Sequence, residues 1–262
     1  MMPRRVLIPT SEAVHLHATG LTQFDYPVVE AGSSTHFTVY RDPSLGAAGQ
    51  QVAAAVLGKS EADYLTLSSY FGLQIPRCNV IIAPLSPDGD GSGGAYHYSC
   101  NATDLYCDVA LQPQINVDLT SAFVVAEEVE VFQAVQSLGW DCGSSNGEGL
   151  SRVLAESLHP NVLSAYATAG QWLDGGRPNW VDANNNTDTD PVSNGCSVLF
   201  LFWLNARLDF PWDQICQAAN PTLRGTYRTL TGKATAWPDF LKDITVLFPA
   251  DVSVGVVPDN PF

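Results

Sequence analysis

The sequence predicts an α+β protein, with a β-rich N-terminal lobe followed by a mainly helical C-terminal lobe. Three observations carry this reading. Short runs with strand character, such as "STHFTVYR" (34–41) and "RCNVIIAPL" (77–85), crowd the first half. From Asp118 onward apolar residues recur at helical spacing. Apolar residues make up 45% of the 262-residue chain and charged residues 15%, which suits a packed core rather than a disordered chain.

Each element has a local reason. "STHFTVYR" alternates apolar and polar residues, as a half-buried strand does. The stretch 45–72 reads as helix, broken at Gly58 and ended at Gly72. "RCNVIIAPL" is a buried strand, and "SPDGDGSGG" (86–94) is a loop by its Gly, Pro and Asp content. "AYHYSC" (95–100) and "LYCDVAL" (105–111) are two further strands. "DLTSAFVVAEEVEVFQAVQSLGW" (118–140) begins with capping residues and runs as a helix to Gly139. "SNGEGLSRVLAESLHP" (145–160) is a second helix, capped near Ser145 or Asn146 and stopped by Pro160. The stretches 195–208, 211–219, 222–232 and 237–248 supply more helices, with Pro211 at a first-turn position. The division is an N-terminal strand region over 1–34, an α/β lobe over 35–139 and a helical lobe over 140–262.

Charge narrows the partners. Twelve Lys and Arg against 27 Asp and Glu give a net charge of −15. That argues against nucleic acid and anionic membrane surfaces, whose phosphates need a basic patch. The most apolar run, "CSVLFLFWL" (196–204), is too short to span a bilayer and reads as a buried helix. The N-terminus has two arginines but only a short apolar run, so no signal peptide is read there. Six cysteines show no C-x-x-C pair. Cys100 and Cys107 would close a short disulfide loop, and so indicate an extracellular chain, if they end two adjoining strands; free buried thiols are the alternative.

The chemistry sits in "VVAEEVEVF" (124–132) and "NGEGLSRVLAE" (146–156). Glu127 and Glu130, three apart, share one helix face, and Glu128 points elsewhere, toward solvent. A buried carboxylate must be paired, protonated or metal-bound. Two readings are open. Glu127, Glu130 and Glu148 form a structural polar network with Arg152, or they bind a hard cation.

The order "GGAYHY" (93–98), then a helix with E-x-x-E, then "NGEGLSRVLAE", resembles the thermolysin-like zinc metallopeptidases, the gluzincins, over residues 35 to 245. The segment "DYLTLSSYFG" (63–72) ahead of a strand fits the same pattern. The resemblance implies a zincin fold with two lobes around a cleft. It matches Glu127 to the general base and Glu148 to the downstream metal ligand. Ala126 and Glu130 stand where the two zinc-binding histidines belong. His97 falls in the strand that lines the substrate, and Tyr166 or Tyr227 are candidates for the oxyanion role. Without imidazole ligands a zinc ion activates water poorly. The resemblance therefore implies a pseudo-metallopeptidase that binds a peptide or protein in the remnant cleft, with Glu130 and Glu148 as empty remnant ligands. The alternatives are a metal-dependent hydrolase with a carboxylate-rich site, and a purely structural or packaging protein.

Three further stretches are candidate metal sites. In "DANNNTDTDP", Asp182, Asn184, Asn186, Asp188 and Asp190 place oxygen donors at every second position, as calcium loops do; a polar loop of Asx turns is the alternative. Asp88 and Asp90 in the 86–94 loop are a weaker case. His15 and His17 alternate on one face of an expected strand and form a candidate two-histidine site.

Overall fold

The computed structural model describes residues 26–86, 88–91, 93–111 and 115–262, so the candidate pair His15 and His17 lies outside the described residues. The protein is α+β. One unit consists of the described residues up to Leu65 together with Pro76–Glu128, and the other of Thr66–Ile75 together with Val129–Phe262.

The first unit is built on a five-stranded mixed sheet of order β1-β2-β3-β5-β4. Its strands are β1 (Val29–Ser33), β2 (Phe37–Arg41), β3 (Cys78–Ala83), β4 (Ala95–Tyr96) and β5 (Asp104–Asp108). β2, β3 and β5 run parallel, while β1 and β4 pair antiparallel at the two edges. β3 and β5 are buried on both faces, which explains their near-continuous apolar character. Ile81, Tyr96 and Tyr106 share one face, where Tyr96 stacks on Tyr106 at 4.9 Å between ring centroids. Val80, Ile82, Leu105 and Cys107, all fully buried, take the alternate positions. The loop into β4 is tied to Asp108, whose carboxylate accepts from the backbone N–H groups of Leu85, Ser86 and Gly93. A Cβ at residue 93 would lie 2.7 Å from Asp108 Oδ2, so glycine is required for this close approach.

Helix α1 spans Gly46–Phe71 and is not broken at Gly58 as expected. A single helical glycine costs only about 1 kcal/mol, and the flanking good helix formers absorb it. Gly72 ends the helix in the left-handed region at φ 69°, its N–H bonded to Ser68 O. "AYHYSC" is shorter as a strand than expected. Only Ala95 and Tyr96 pair with β5, because the chain turns at Ser99–Ala102.

α2 spans Val117–Gln136, and every position from Thr120 to Gln133 is buried. Asn116 caps it, its side-chain oxygen accepting from the N–H groups of Asp118 and Leu119. The second unit continues with α3 (Ser145–Leu158), α4 (Ala169–Asp174), α5 (Pro191–Phe202), α6 (Trp212–Gln217), α7 (Leu223–Thr231) and α8 (Ala236–Leu247). α4 has no counterpart among the expected helices; it is too short to show a period. Pro211 takes the N-cap position of α6, one residue ahead of the first turn. α5 continues into a π-helical turn over Trp203–Arg207. It is the centre of the helical core, buried from Ser193 to Leu204. Small residues let its neighbours close in: a Cβ on Gly149 would lie 2.5 Å from Ser197, and one on Gly195 would lie 2.3 Å from Thr168 O. Phe200, Trp203 and Phe240 pack with ring centroids within 5.6 Å. Burying each such ring stabilises by about 2–3 kcal/mol. Among the described residues no helix is long and apolar enough to cross a membrane.

Candidate functional site

Each of the two units carries site residues. In the first unit, β4 delivers the chain into His97, which is 3% exposed. His97 Nδ1 stands 3.3 Å from Ala102 O. A carbonyl can only accept, so in this contact Nδ1–H is the donor and the carbonyl orients the ring. Nε2 lies 4.0 Å from Glu127 Oε2 on α2. Glu127 is 6% exposed and the preceding Ala126 is 2% exposed, its methyl group offering no ligand atom. Burial first, then the charges of Glu127 and Asp108, hold the Cys107 thiol well above its usual range, so it is neutral.

Glu128 requires a correction. It does not face solvent: it is fully buried, and neither carboxylate oxygen has a hydrogen-bond partner. The reason is that α2 is enclosed over fourteen successive positions, Thr120 to Gln133, which leaves no polar face. Desolvation, followed by the charges of Asp63 and Glu61, pushes its pKa well above the ordinary carboxylate value. Burial and these neighbouring charges both favour the protonated, neutral form of Glu128.

In the second unit, Glu130 is 4% exposed on the C-terminal half of α2. Gln133, one helical turn on, donates Nε2–H to Gly147 O at 2.9 Å and so fixes the start of α3. A Cβ on Gly147 would stand 2.1 Å from Asp141 O, so this approach needs glycine. α3 then presents Glu148, 9% exposed, whose Oε1 lies 3.7 Å from Arg152 Nη1, one turn further along. Arg152 Nη2 also donates to the backbone carbonyl of Tyr166. Tyr166 thus meets Arg152 through its main chain, in a short 3-10 turn over Ser164–Tyr166. Tyr227 belongs to a different cluster. Its ring stacks on Trp203, and its hydroxyl donates to Asp239 Oδ2 at 2.7 Å, clasping α7 to α8.

The Asp/Asn loop is used as a staple. Asn184 Oδ1 accepts from Ser145 Oγ and Asn146 N, and its Nδ2 donates to Pro221 O. Asp190 caps α5 by accepting from Val192 N and Ser193 N. Asp182 accepts from Asn179 and lies 3.9 Å from Arg224. Asp188 O accepts from Asn194 Nδ2. In the 86–94 loop, Asp90 Oδ1 accepts from Ser86 Oγ.

Of the two cysteine readings, the Cys100–Cys107 disulfide is overturned, and the free buried thiol holds for Cys78, Cys107, Cys196 and Cys216. Cys107 lies in mid-strand as a free, fully buried thiol, so the Cys100–Cys107 loop does not form. Cys100 and Cys142 are the disulfide-bonded cysteines. Spacing alone could not show this, since pairing follows proximity in the fold. One pairing was not anticipated. His36 Nδ1 stands 2.8 Å from Glu61 Oε2 and its backbone N–H donates to Oε1, with the imidazole stacked on Tyr64 at 3.7 Å. Burial opposes the Glu61 charge, but hydrogen bonds from Ser34 and His36 overcome it and bring the pKa down to about 2. The signal available in the sequence was Glu61 and Tyr64, three apart on one face of α1. No family model and no curated protein matches the chain.

Proposed function

We propose that this chain is a thermolysin-like, zincin-type pseudopeptidase that has lost zinc-dependent hydrolysis and binds an extended peptide or protein segment along the β4 edge. The observation that supports it most is the antiparallel edge strand leading straight into His97, with Nε2 4.0 Å from Glu127 on the buried helix α2. A sheet edge recognises an extended chain through main-chain hydrogen bonds. The loss of hydrolysis is supported by two positions. Ala126 gives a metal nothing to bind, and the carboxylate of Glu148 is drawn to the Arg152 guanidinium. Glu127 remains as a base, but without a metal-bound water it has no activated nucleophile to make.

The His97 geometry favours a second reading, a metal-dependent hydrolase with a carboxylate-rich site. A backbone carbonyl that orients one ring nitrogen leaves the other set up for a metal, as in many histidine sites. Elemental analysis of the purified protein, with casein and peptide cleavage assayed with and without chelator, separates the two. The pseudopeptidase reading expects no chelator-sensitive cleavage, together with extended peptides that protect the amides of residues 94–98 from hydrogen exchange. Chelator-sensitive proteolysis abolished by Glu127→Gln would overturn it in favour of the hydrolase.

A further inference from the structure

A cavity of about 270 Å³ lies within the helical unit, between α3, α5 and the segment Pro258–Asn260. Its wall is apolar where Val153, Val198 and Phe202 meet, and all three are buried. Pro160, Asn161 and Ser164 are exposed at its rim, so it opens to solvent. Three charged side chains line it: Arg152, Glu156 and Asp259.

Arg152 is 3% exposed, and its Nη1 is buried without a hydrogen bond. Glu148 Oε1, at 3.7 Å, is too far to accept one. A buried guanidinium N–H with no acceptor is costly, and a ligand oxygen would relieve that cost. The two carboxylates keep acceptor capacity. Asp259 uses only Oδ1, on the N–H groups of Thr168 and Ala169. Glu156 accepts from the N–H groups of Asn161 and Leu163. Each ionised carboxylate offers about four lone-pair sites, so both can still accept from an ammonium group.

This lining selects by charge. A simple anion would meet Glu156 and Asp259, and a simple cation would meet Arg152. A molecule carrying both charges and an apolar body satisfies all three walls. We propose that the cavity binds a free apolar α-amino acid, its carboxylate on Arg152, its ammonium on Glu156 and Asp259, and its side chain against Val153, Val198 and Phe202. The site shares Arg152, the partner of Glu148, with the peptidase-like reading, but none of its lining residues lies on α2 or β4, so amino-acid binding is read out separately from peptide binding or cleavage.

The test is calorimetric titration of the full chain with L-leucine, L-methionine and L-phenylalanine. Two probes each lack one charge: leucinol has no carboxylate and 4-methylpentanoate has no amine. The expected result is saturable binding of at least one amino acid, with both single-charge analogues weaker by about tenfold or more. Ala167→Phe, which fills the cavity from a lining position and leaves Arg152, Glu156 and Asp259 in the sequence, should abolish that binding. Failure of all three amino acids to bind would overturn the proposal. So would equal binding of either analogue, or binding that a folded Ala167→Phe leaves unchanged. If that variant does not fold, the comparison of analogues on the unmodified protein still decides.

Discussion

Glu128→Gln should stabilise this protein at neutral pH, although it removes an ionisable group from the middle of a helix. The native carboxyl is fully buried, has no hydrogen-bond partner and faces the negative charges of Asp63 and Glu61. Its pKa is raised in the folded state, so above the unfolded value of 4.5 the native protein holds a proton that the unfolded chain has released. Its contribution is fully present below pH 4.5 and is lost as pH rises toward the folded pKa. The loss is about 1.4 kcal/mol per pH unit. Glutamine has nearly the same shape and does not titrate. Its amide is as poorly hydrogen-bonded as the protonated carboxyl, so that cost largely cancels. Urea unfolding of both proteins from pH 4.5 to 8 measures the difference. It should be smallest at pH 4.5 and grow in favour of the glutamine variant as pH rises toward the folded pKa, with the denaturant dependence unchanged. A pH-independent difference, or a variant less stable at pH 7, would show that Glu128 has a partner or reaches water.

Other outcomes follow from individual contacts. Gly147→Ala should lower stability by about 1–3 kcal/mol, because the new methyl group meets the Asp141 carbonyl; a thermal melt equal to that of the parent would refute the close approach. Tyr227→Phe should cost about 1 kcal/mol through loss of the bond to Asp239 and leave any peptide binding unchanged; a selective loss of function would instead give the hydroxyl a role at the site. Glu61→Gln should cost about 1 kcal/mol at neutral pH, the Glu61 side chain being 30% exposed and partly screened by solvent. With a folded pKa of about 2, that contribution is present above pH 4.5 and disappears as pH falls toward 2, so a deficit that persists at pH 2 would count against the ion pair. Asp190→Ala should cost about 1 kcal/mol through the lost cap of α5. Melts in excess calcium and in chelator test the loop directly. A calcium-dependent rise in Tm that Asp190→Ala removes would identify the loop as a cation site.

Helical period and strand alternation are local properties, and the sequence carried them without help. It marked α2 and α3, the apolar strands β3 and β5, and the α+β class, because burial imposes a period on the residues that line a core. It also placed Glu127, Glu130 and Glu148 on two successive helices. What it could not determine was which way each acid faces. One position on α2 shows why. Glu128 looked solvent-facing only on the assumption that the helix has a wet side, and the fold encloses every side from Thr120 to Gln133. Partners distant in sequence were equally hidden. His36 with Glu61, Asn184 with Ser145, and the disulfide bonding of Cys100 and Cys142 rather than Cys107 all depend on which segments the fold brings together. Such pairings are set by tertiary packing, where contact energies outweigh local preference, and a linear pattern contains no term for them.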